Sequence, residues 1–435
     1  KYTTKTSKYT TASGSCADTG VSQPLQALYK SGKSQEAINE FRVLQQKYPN
    51  SEYADKSLYL IGWIYFQGGN YHSAITSYRD VLGRYSNTTV ASLIYYSIGD
   101  CYYNLGSYDS AIVNYQTVLS SYPSTSHVYD AVNGIQDCFV AQGHPEKAIT
   151  FMRQFVQQNP SSGFADQIYY KVGDIYYSDH NYKNASISYK DFITYYPKSK
   201  LVPQAYYWIG KSAENMNQYQ EALFNFNEIF NSYPESEFAP SAVIENGNIY
   251  NSQKNYDAAL NIYNQALSKL PDTKRFPEIL FNKGMTLVNK RNNGEAENIF
   301  LELVQKYSGT VFAEKSKLEL GIIAVDSKMY ETADPYLQDL AQNRTDEIGA
   351  QAQYYYGVSL FNQNNLNDAI TAFVRVGTSF AAYDDWVTKS CLKLGECYIK
   401  LKDNQRAKEM YKVVLSKHKN DDYGKEAKAK LRGIR

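Results

Sequence analysis

The chain has 435 residues, with 45 lysines and arginines against 44 aspartates and glutamates. A net charge of +1 argues against a chain-wide surface for nucleic acid or for an anionic membrane. No apolar run approaches the roughly 18 residues that a membrane-spanning helix needs, so we expect no such helix.

The first 20 residues, KYTTKTSKYTTASGSCADTG, are rich in threonine, serine and lysine and contain no hydrophobic run. This composition cannot bury a core, so we expect residues 1–20 to form a flexible tail. The stretch shows neither the pattern of an intact signal peptide nor a recognisable lipidation motif.

One sequence pattern recurs along almost the whole chain. A glycine returns every 37 residues, with one slot filled by glutamine and final spacings of 36 and 38. An alanine follows each glycine slot after twelve residues, and Ala37 extends the pattern one repeat upstream. The pattern divides residues 21–415 into eleven repeats, the first truncated. The glycine slots hold Gly62, Gly99, Gln136, Gly173, Gly210, Gly247, Gly284, Gly321, Gly357 and Gly395.

Each repeat is expected to form a helical hairpin. Apolar residues recur at spacings of three and four over residues 93–105 and again over 108–119, which predicts two amphipathic helices, here called helix A and helix B. Ser107 is placed to cap helix B, and Pro123 ends it. Pro203, Pro240 and Pro277 fit the first turn of helix A. The other repeats offer as caps Asn70, Asn181, Asn255, Asn292, Asn365 and Asp403.

The positions of glycine, alanine and proline resemble those of the tetratricopeptide repeat, whose usual unit has about 34 residues. The longer unit and the junctions YPNSEYADKS, YPKSKLVPQA and YPESEFAPSA are similar to a variant found in bacterial cell-envelope proteins, such as outer-membrane assembly lipoproteins and the Tol-Pal coordinator. The resemblance implies an all-α fold, a right-handed solenoid of about eleven 37-residue hairpins over residues 21–415. Residues 416–435, which are basic, would form a capping helix.

In tetratricopeptide solenoids the A helices line a concave groove, and the resemblance places three slots in it: three residues before the glycine, and one and four residues after it. In repeats two to six these slots hold mainly tyrosine and aspartate, which suit recognition because tyrosine joins an apolar face to a hydroxyl group. The alternative, that these tyrosines pack between helices, stays open. The candidate partner-binding residues are Tyr59, Trp63, Tyr96, Asp100, Tyr103, Asp137, Tyr170, Asp174, Tyr177 and Tyr207.

A second aromatic slot, three residues after the glycine, is expected to lie in the core. It holds Tyr65, Tyr102, Tyr176 and Tyr250.

Motifs that would support chemistry are weak. ALYKSGKS, residues 27–34, approaches a phosphate-binding loop but has alanine for its first glycine and no preceding strand, so a turn between helices is expected. The five histidines form no HExxH or HxxxH pair, and the five cysteines show no CxxC spacing. We therefore expect no enzyme activity, no cofactor and no metal site.

The resemblance implies a non-catalytic scaffold that binds an extended or helical protein segment in the groove, within a bacterial periplasm or outer-membrane assembly. Three alternatives remain open at this stage. The chain could be an architectural subunit of a large envelope complex or filament, a glycan- or peptidoglycan-binding solenoid, or a scaffold located in the cytoplasm.

Overall fold

The computed structural model describes residues 33–49, 51, 54–270 and 274–434, which contain 22 α-helices and no β-strand. The predicted all-helical repeat is confirmed. The predicted tail at residues 1–20 and residues 27–32 of the predicted turn lie outside the described residues. Within the described ranges, no helix combines the length and the apolar character that crossing a membrane requires.

The helices fall into two compact units, an N-terminal unit that ends at Met216 and a C-terminal unit that begins at Asn217. In the N-terminal unit, α2–α3, α4–α5, α6–α7 and α8–α9 pack as A–B hairpins, with α1 before them and α10 after them. Its helices are α1 (Ser34–Lys47), α2 (Ala54–Gln67), α3 (Tyr71–Arg84), α4 (Ala91–Asn104), α5 (Tyr108–Ser121), α6 (His127–Ala141), α7 (Pro145–Gln158), α8 (Ala165–Ser178), α9 (Tyr182–Tyr195) and α10 (Val202–Asn215).

The C-terminal unit contains five further A–B hairpins, from α12–α13 to α20–α21, with α11 before them and α22 after them. Its helices are α11 (Tyr219–Ser232), α12 (Ala239–Ser252), α13 (Tyr256–Lys269), α14 (Phe276–Asn289), α15 (Asn293–Lys306), α16 (Val311–Asp326), α17 (Tyr330–Asn343), α18 (Glu347–Asn362), α19 (Leu366–Ser379), α20 (Asp384–Lys400), α21 (Asn404–Lys417) and α22 (Asp422–Arg432).

The helix ends follow the local sequence signals closely. The three predicted first-turn prolines occupy the second position of α10, α12 and α14. Five predicted caps, Asn70, Asn181, Asn255, Asn292 and Asp403, accept a hydrogen bond from the backbone N–H three residues later.

Two predicted caps were wrong. Ser107 makes no side-chain cap bond, although its φ of −88° nearly equals the −87° of Asn70. The backbone is thus alike at both positions, and the difference lies in the side chains. Asn365 instead donates its side-chain N–H to Asp368 at 2.6 Å.

The turn between helix A and helix B contains a residue in the left-handed region of backbone space. Glycine fills that place at Gly69, Gly106 and Gly143, which have φ values of +72° to +77°. Among the described residues, seven others adopt a φ between +57° and +64° without being glycine. A side chain there costs roughly 1–2 kcal/mol. The seven are His180, Asn217, Lys254, Arg291, Lys328, Asn364 and Lys402.

Replacing Lys254 with glycine is therefore expected to raise the free energy of unfolding by about 0.5–1 kcal/mol, the relief of strain less the added entropy of the unfolded chain. Replacing Gly106 with alanine should lower it by a similar amount. Denaturant titration of both variants measures the two changes. A loss of stability in Lys254→Gly would contradict the argument.

Most hairpin cores are built around a ring from helix B that lies on the glycine slot of helix A, sixteen residues earlier; Leu337 takes this place on Gly321. A Cβ atom on Gly99 would lie 2.5 Å from the ring of Tyr115, and one on Gly284 would lie 2.5 Å from the ring of Phe300. The glycine is thus required by the close approach of the ring. Where Gln136 replaces the glycine, Met152 replaces the ring, so the two slots change together.

The aromatic slot three residues after the glycine is less buried than predicted. Tyr65, Tyr102, Tyr176 and Tyr250 are half-buried, whereas the fully buried tyrosines lie on B helices. The side chain of Arg79 donates to the Tyr102 hydroxyl at 2.8 Å. The Tyr102 hydroxyl thus reaches a polar group of the preceding helix B.

The basic C-terminal segment forms α22, which packs against α20 and α21. Ala427 is fully buried in a cluster with Leu392 and Tyr411, and the Lys430 ammonium lies 2.6 Å from the Glu396 carboxylate. The last hairpin is thereby covered on the side where a further repeat would continue the pattern.

Candidate functional site

The three predicted tyrosines that precede the glycine of α2, α4 and α8 are buried. Tyr59 is 8% exposed, Tyr96 6% and Tyr170 4%. Each packs against the ring that covers the glycine slot, so for these three the packing interpretation holds and a partner cannot reach them. The distances between ring centroids are 5.3 Å for Tyr59–Tyr78, 5.6 Å for Tyr96–Tyr115 and 5.2 Å for Tyr170–Tyr189.

Two of the predicted aspartates hold buried tyrosine hydroxyls. Asp100 is 6% exposed and accepts a hydrogen bond from the Tyr115 hydroxyl at 2.6 Å. Asp174 accepts the equivalent bond from Tyr189 at 2.7 Å. Asp100 is therefore a core residue, and its predicted place on a contact surface is wrong because the carboxylate is needed inside the hairpin.

Asp174 differs from Asp100 because more than a third of it remains exposed. Its packed surroundings still raise the pKa of the carboxyl group, and the Tyr189 hydrogen bond and the Lys171 charge act in the opposite direction. Asp174 can thus hold the tyrosine with one side of its carboxylate and present the other side to solvent.

The slot one residue after the glycine follows the chemistry of the ring on helix B. Polar residues there accompany tyrosine, as in the pairs Asp100–Tyr115 and Glu396–Tyr411, and apolar residues accompany phenylalanine or leucine. Two residues depart from this rule: Lys211 accompanies Phe226, and Trp63 accompanies Tyr78, whose hydroxyl forms a hydrogen bond with Ser97. The apolar pairs are Met285–Phe300, Ile322–Leu337 and Val358–Phe373.

Asp137 breaks the same rule in the other direction. It is half-buried on α6, and the corresponding residue of helix B is the fully buried Met152, which has no hydroxyl group. The structural reason that explains Asp100 and Asp174 is therefore absent at Asp137. Of the three predicted aspartates, it is the one that has no tyrosine hydroxyl at the equivalent position of helix B.

The predicted aromatic residues that follow the glycine are half-buried and rigidly held. Tyr103 packs edge-on against Tyr108, with ring centroids 5.5 Å apart, and Tyr177 packs edge-on against Tyr182 at 5.2 Å. In each pair the second tyrosine is the first residue of helix B. These rings keep one face against the hairpin and part of the other outside.

A residue that the sequence analysis missed joins two of the predicted ones. Trp208 on α10 lies 4.8 Å from Tyr177 and 5.5 Å from Tyr207, measured between ring centroids. It occupies the slot two residues before the glycine, which the three chosen slots did not include. The same slot of α8 holds Lys171, whose ammonium lies 2.7 Å from the side-chain oxygen of Asn133 on α6.

We use the name A surface for the solvent-facing side chains of α2, α4, α6, α8 and α10 at the predicted positions and next to them. The contacts bring together the residues of α6, α8 and α10, while Trp63 and Tyr103 lie on α2 and α4. Lys211, one residue after the glycine of α10, adds a second ammonium, 2.5 Å from Glu214. The A surface consists of Trp63, Tyr103, Asp137, Lys171, Asp174, Tyr177, Tyr207, Trp208 and Lys211.

The A surface has the chemistry of a binding surface. It offers half-buried aromatic rings with carboxylates and ammonium groups between them, so it can contact apolar side chains and pair with charges of either sign. Among the described residues no group of three histidine, cysteine, aspartate or glutamate side chains is placed to hold a metal ion. Cys101, Cys138 and Cys397 are buried thiols.

Family models described as tetratricopeptide repeat match residues 26–51, 59–124, 204–236, 247–268, 318–383 and 392–421, together more than half of the chain. No curated protein sequence matches. Among solved structures, yeast Tom70 is 11% identical over 94% of each chain, with a TM-score of 0.42. PilW, a widely conserved type IV pilus biogenesis factor, is 19% identical over 52% of this chain and 99% of its own, with a TM-score of 0.42. A tetratricopeptide repeat protein from Parabacteroides merdae is 17% identical over 60% of this chain and 96% of its own, with a TM-score of 0.34.

Proposed function

The chain belongs to the tetratricopeptide repeat family, whose fold is typically a protein-interaction scaffold, and we propose that it binds a segment of a partner protein on the A surface without catalysing a reaction. A cluster of half-buried aromatic rings carries this proposal. Trp208 of α10 packs against Tyr177 of α8 and against Tyr207, and part of each ring stays exposed to solvent. Rings that are held in place and still partly exposed are well suited to contact a partner.

The binding mode follows from the side chains of the A surface. Tyr177, Tyr207 and Trp208 are already packed against one another, so they provide apolar contact area at little further cost in entropy. Asp137 and Asp174 would accept hydrogen bonds from basic or amide groups of the partner and fix its register. An extended or helical segment that alternates apolar and basic side chains fits this arrangement.

Replacing Asp137 with asparagine is expected to leave the unfolding midpoint unchanged and to weaken partner binding about tenfold, or ~1.4 kcal/mol. The charge is lost while the shape is kept, and no buried hydroxyl group loses its acceptor. Asp109→Asn, on the exposed side of α5, is the matched control and should leave partner binding unchanged. Calorimetric titration and thermal unfolding of both variants provide the measurements.

The partner itself is to be identified by affinity capture followed by cross-linking, with wild-type and Asp137→Asn protein in parallel. Lys171 and Lys211 place primary amines on the A surface, where a cross-linker can report contact. Cross-links confined to B helices, with equal capture by the variant, would refute the proposal. Self-association of the isolated protein in light scattering would instead favour an architectural subunit. Binding of cell-wall fragments would favour a glycan-binding protein.

We also propose that the interaction takes place in a bacterial cell envelope. The support for this location is the long repeat with its YP-containing junctions, which resembles the cell-envelope variant of the family. Fractionation of the source cells with detection by antibody tests the location. Recovery in the cytoplasmic fraction alone would contradict it.

A further inference from the structure

The A helices of the C-terminal unit present a different chemistry from those of the N-terminal unit. The slot that holds Asp100, Asp137 and Asp174 in α4, α6 and α8 is apolar in α14, α16 and α18. There it contains Met285, Ile322 and Val358, and all three remain half-buried. This face, which we call the C-terminal A face, therefore exposes apolar area on three successive A helices.

Aromatic rings extend the apolar area. Phe281 of α14 and Phe312 of α16 lie 5.9 Å apart between ring centroids. The ammonium of Lys315 lies over both rings, 5.8 Å and 5.6 Å from their centroids. Tyr355 of α18 is also half-buried and packs against the core cluster that includes Leu318. The C-terminal A face is thus lined by rings and aliphatic side chains from neighbouring A helices.

A single carboxylate interrupts this apolar area. Glu319 on α16 is half-buried, and within the part of the chain that the structure describes it forms no hydrogen bond and no ion pair. Burial raises the pKa of Glu319 to about 7. Burial, and next the charges of Glu319 and Asp326, raise the pKa of Tyr355. Lys315, one turn earlier, has its ammonium over the rings.

The last hairpin shows how the fold satisfies a carboxylate in a comparable place. There Glu396, one residue after the glycine, pairs with Lys430 on the next helix at 2.6 Å. Extending the 37-residue spacing from Gly395 leads to position 432, and Lys430 stands two residues before it. Glu319 likewise stands two residues before its glycine, Gly321. On the preceding A helix, α14, the residue at the position equivalent to Glu396 is Met285. A thioether therefore stands where the last hairpin has a side chain of opposite charge.

We propose that the C-terminal A face binds an amphipathic helical segment whose apolar side chains surround one lysine or arginine, and that Glu319 receives this cation. Leaving a half-buried carboxylate without a partner is unfavourable, and a cation from outside would remove that cost. The apolar side chains around it would exclude water and strengthen the ion pair. The proposal concerns the C-terminal unit and does not depend on the A surface.

The test is a display selection of randomised helical peptides on the immobilised full chain. Enriched peptides are expected to carry a lysine or arginine between apolar residues. A selected peptide should bind Glu319→Gln about tenfold more weakly than wild type, and changing its basic residue to glutamine should weaken binding to a similar extent. With both changes made, the loss should be smaller than the sum of the two.

The matched control is Glu302→Gln on α15, a B helix, where the carboxylate already pairs with Lys306 at 2.8 Å. It should leave peptide binding unchanged, and Asp137→Asn should do so as well, which separates this proposal from the one for the A surface. Ile322→Thr gives a second variant on the same face and should also weaken binding. Selected peptides without basic residues, or with equal affinity for Glu319→Gln, would overturn the proposal.

Discussion

Replacing Tyr115 with phenylalanine should lower the free energy of unfolding by about 2–3 kcal/mol, although only one oxygen atom is removed. The Tyr115 hydroxyl donates to Asp100 at 2.6 Å, and Asp100 is 6% exposed. Without the hydroxyl, the buried carboxylate loses this hydrogen bond. Chemical denaturation gives the change in stability, and amide exchange in α4 and α5 shows whether it is local.

Two further variants make this prediction specific. Adding Asp100→Val to Tyr115→Phe should restore most of the lost stability, because the pair then matches Val358 and Phe373 of a later hairpin. Tyr263→Phe is the matched control, since within the described residues the buried Tyr263 hydroxyl has no hydrogen-bond partner. Its removal should leave stability unchanged or raise it. An equal loss in Tyr115→Phe and Tyr263→Phe would show that Asp100 does not matter.

Gly99→Ala is expected to destabilise the chain by about 1–3 kcal/mol, the usual cost of overpacking a core. The new Cβ would lie 2.5 Å from the Tyr115 ring. The backbone of α6 also lies close to this ring, since a Cβ on Gly134 would be 2.6 Å from it. The ring is thus held between two glycines on neighbouring A helices. Thermal and denaturant unfolding measure the effect.

The natural sequence suggests the rescue. Where Gln136 fills the glycine slot, the flexible Met152 takes the place of the ring. Adding Tyr115→Met and Asp100→Val to Gly99→Ala should therefore lower the free energy of unfolding by less than the sum of the three single changes. The matched control is Gly83→Ala at an exposed helical position where nothing lies within 4 Å of the new atom. It should not lower stability, and a loss equal to that of Gly99→Ala would point to backbone conformation in place of ring contact.

Much of the fold could be predicted because its signals are local and repeated. The spacing of apolar residues, the prolines at the second position of α10, α12 and α14, and the asparagine caps each act within a few residues of their own position. Their recurrence at a fixed period removed the ambiguity of any single repeat. The caps predicted at Ser107 and Asn365 were wrong although their backbone matches that of Asn70, so the local sequence does not determine every cap bond.

The candidate site was only partly predictable. Periodicity assigns residues to a face of helix A, but that face borders both solvent and the ring of the following helix B. Tyr59, Tyr96 and Tyr170 turned out to lie against that ring. Trp208, which the sequence analysis missed, is an aromatic residue of helix A like most of the chosen candidates. It stands two residues before the glycine, a position that the three slots taken from the resemblance did not include.

The sequence by itself determined the repeat, its helices, its turns and the family to which the chain belongs, because these depend on spacing along the chain. Only the tertiary structure decided which carboxylates serve the core. Asp100 and Asp174 each accept a hydrogen bond from a tyrosine fifteen residues later, and Asp137 faces a helix that offers methionine instead. The physical reason is that a buried hydroxyl group needs an acceptor, and packing between helices determines where that acceptor stands.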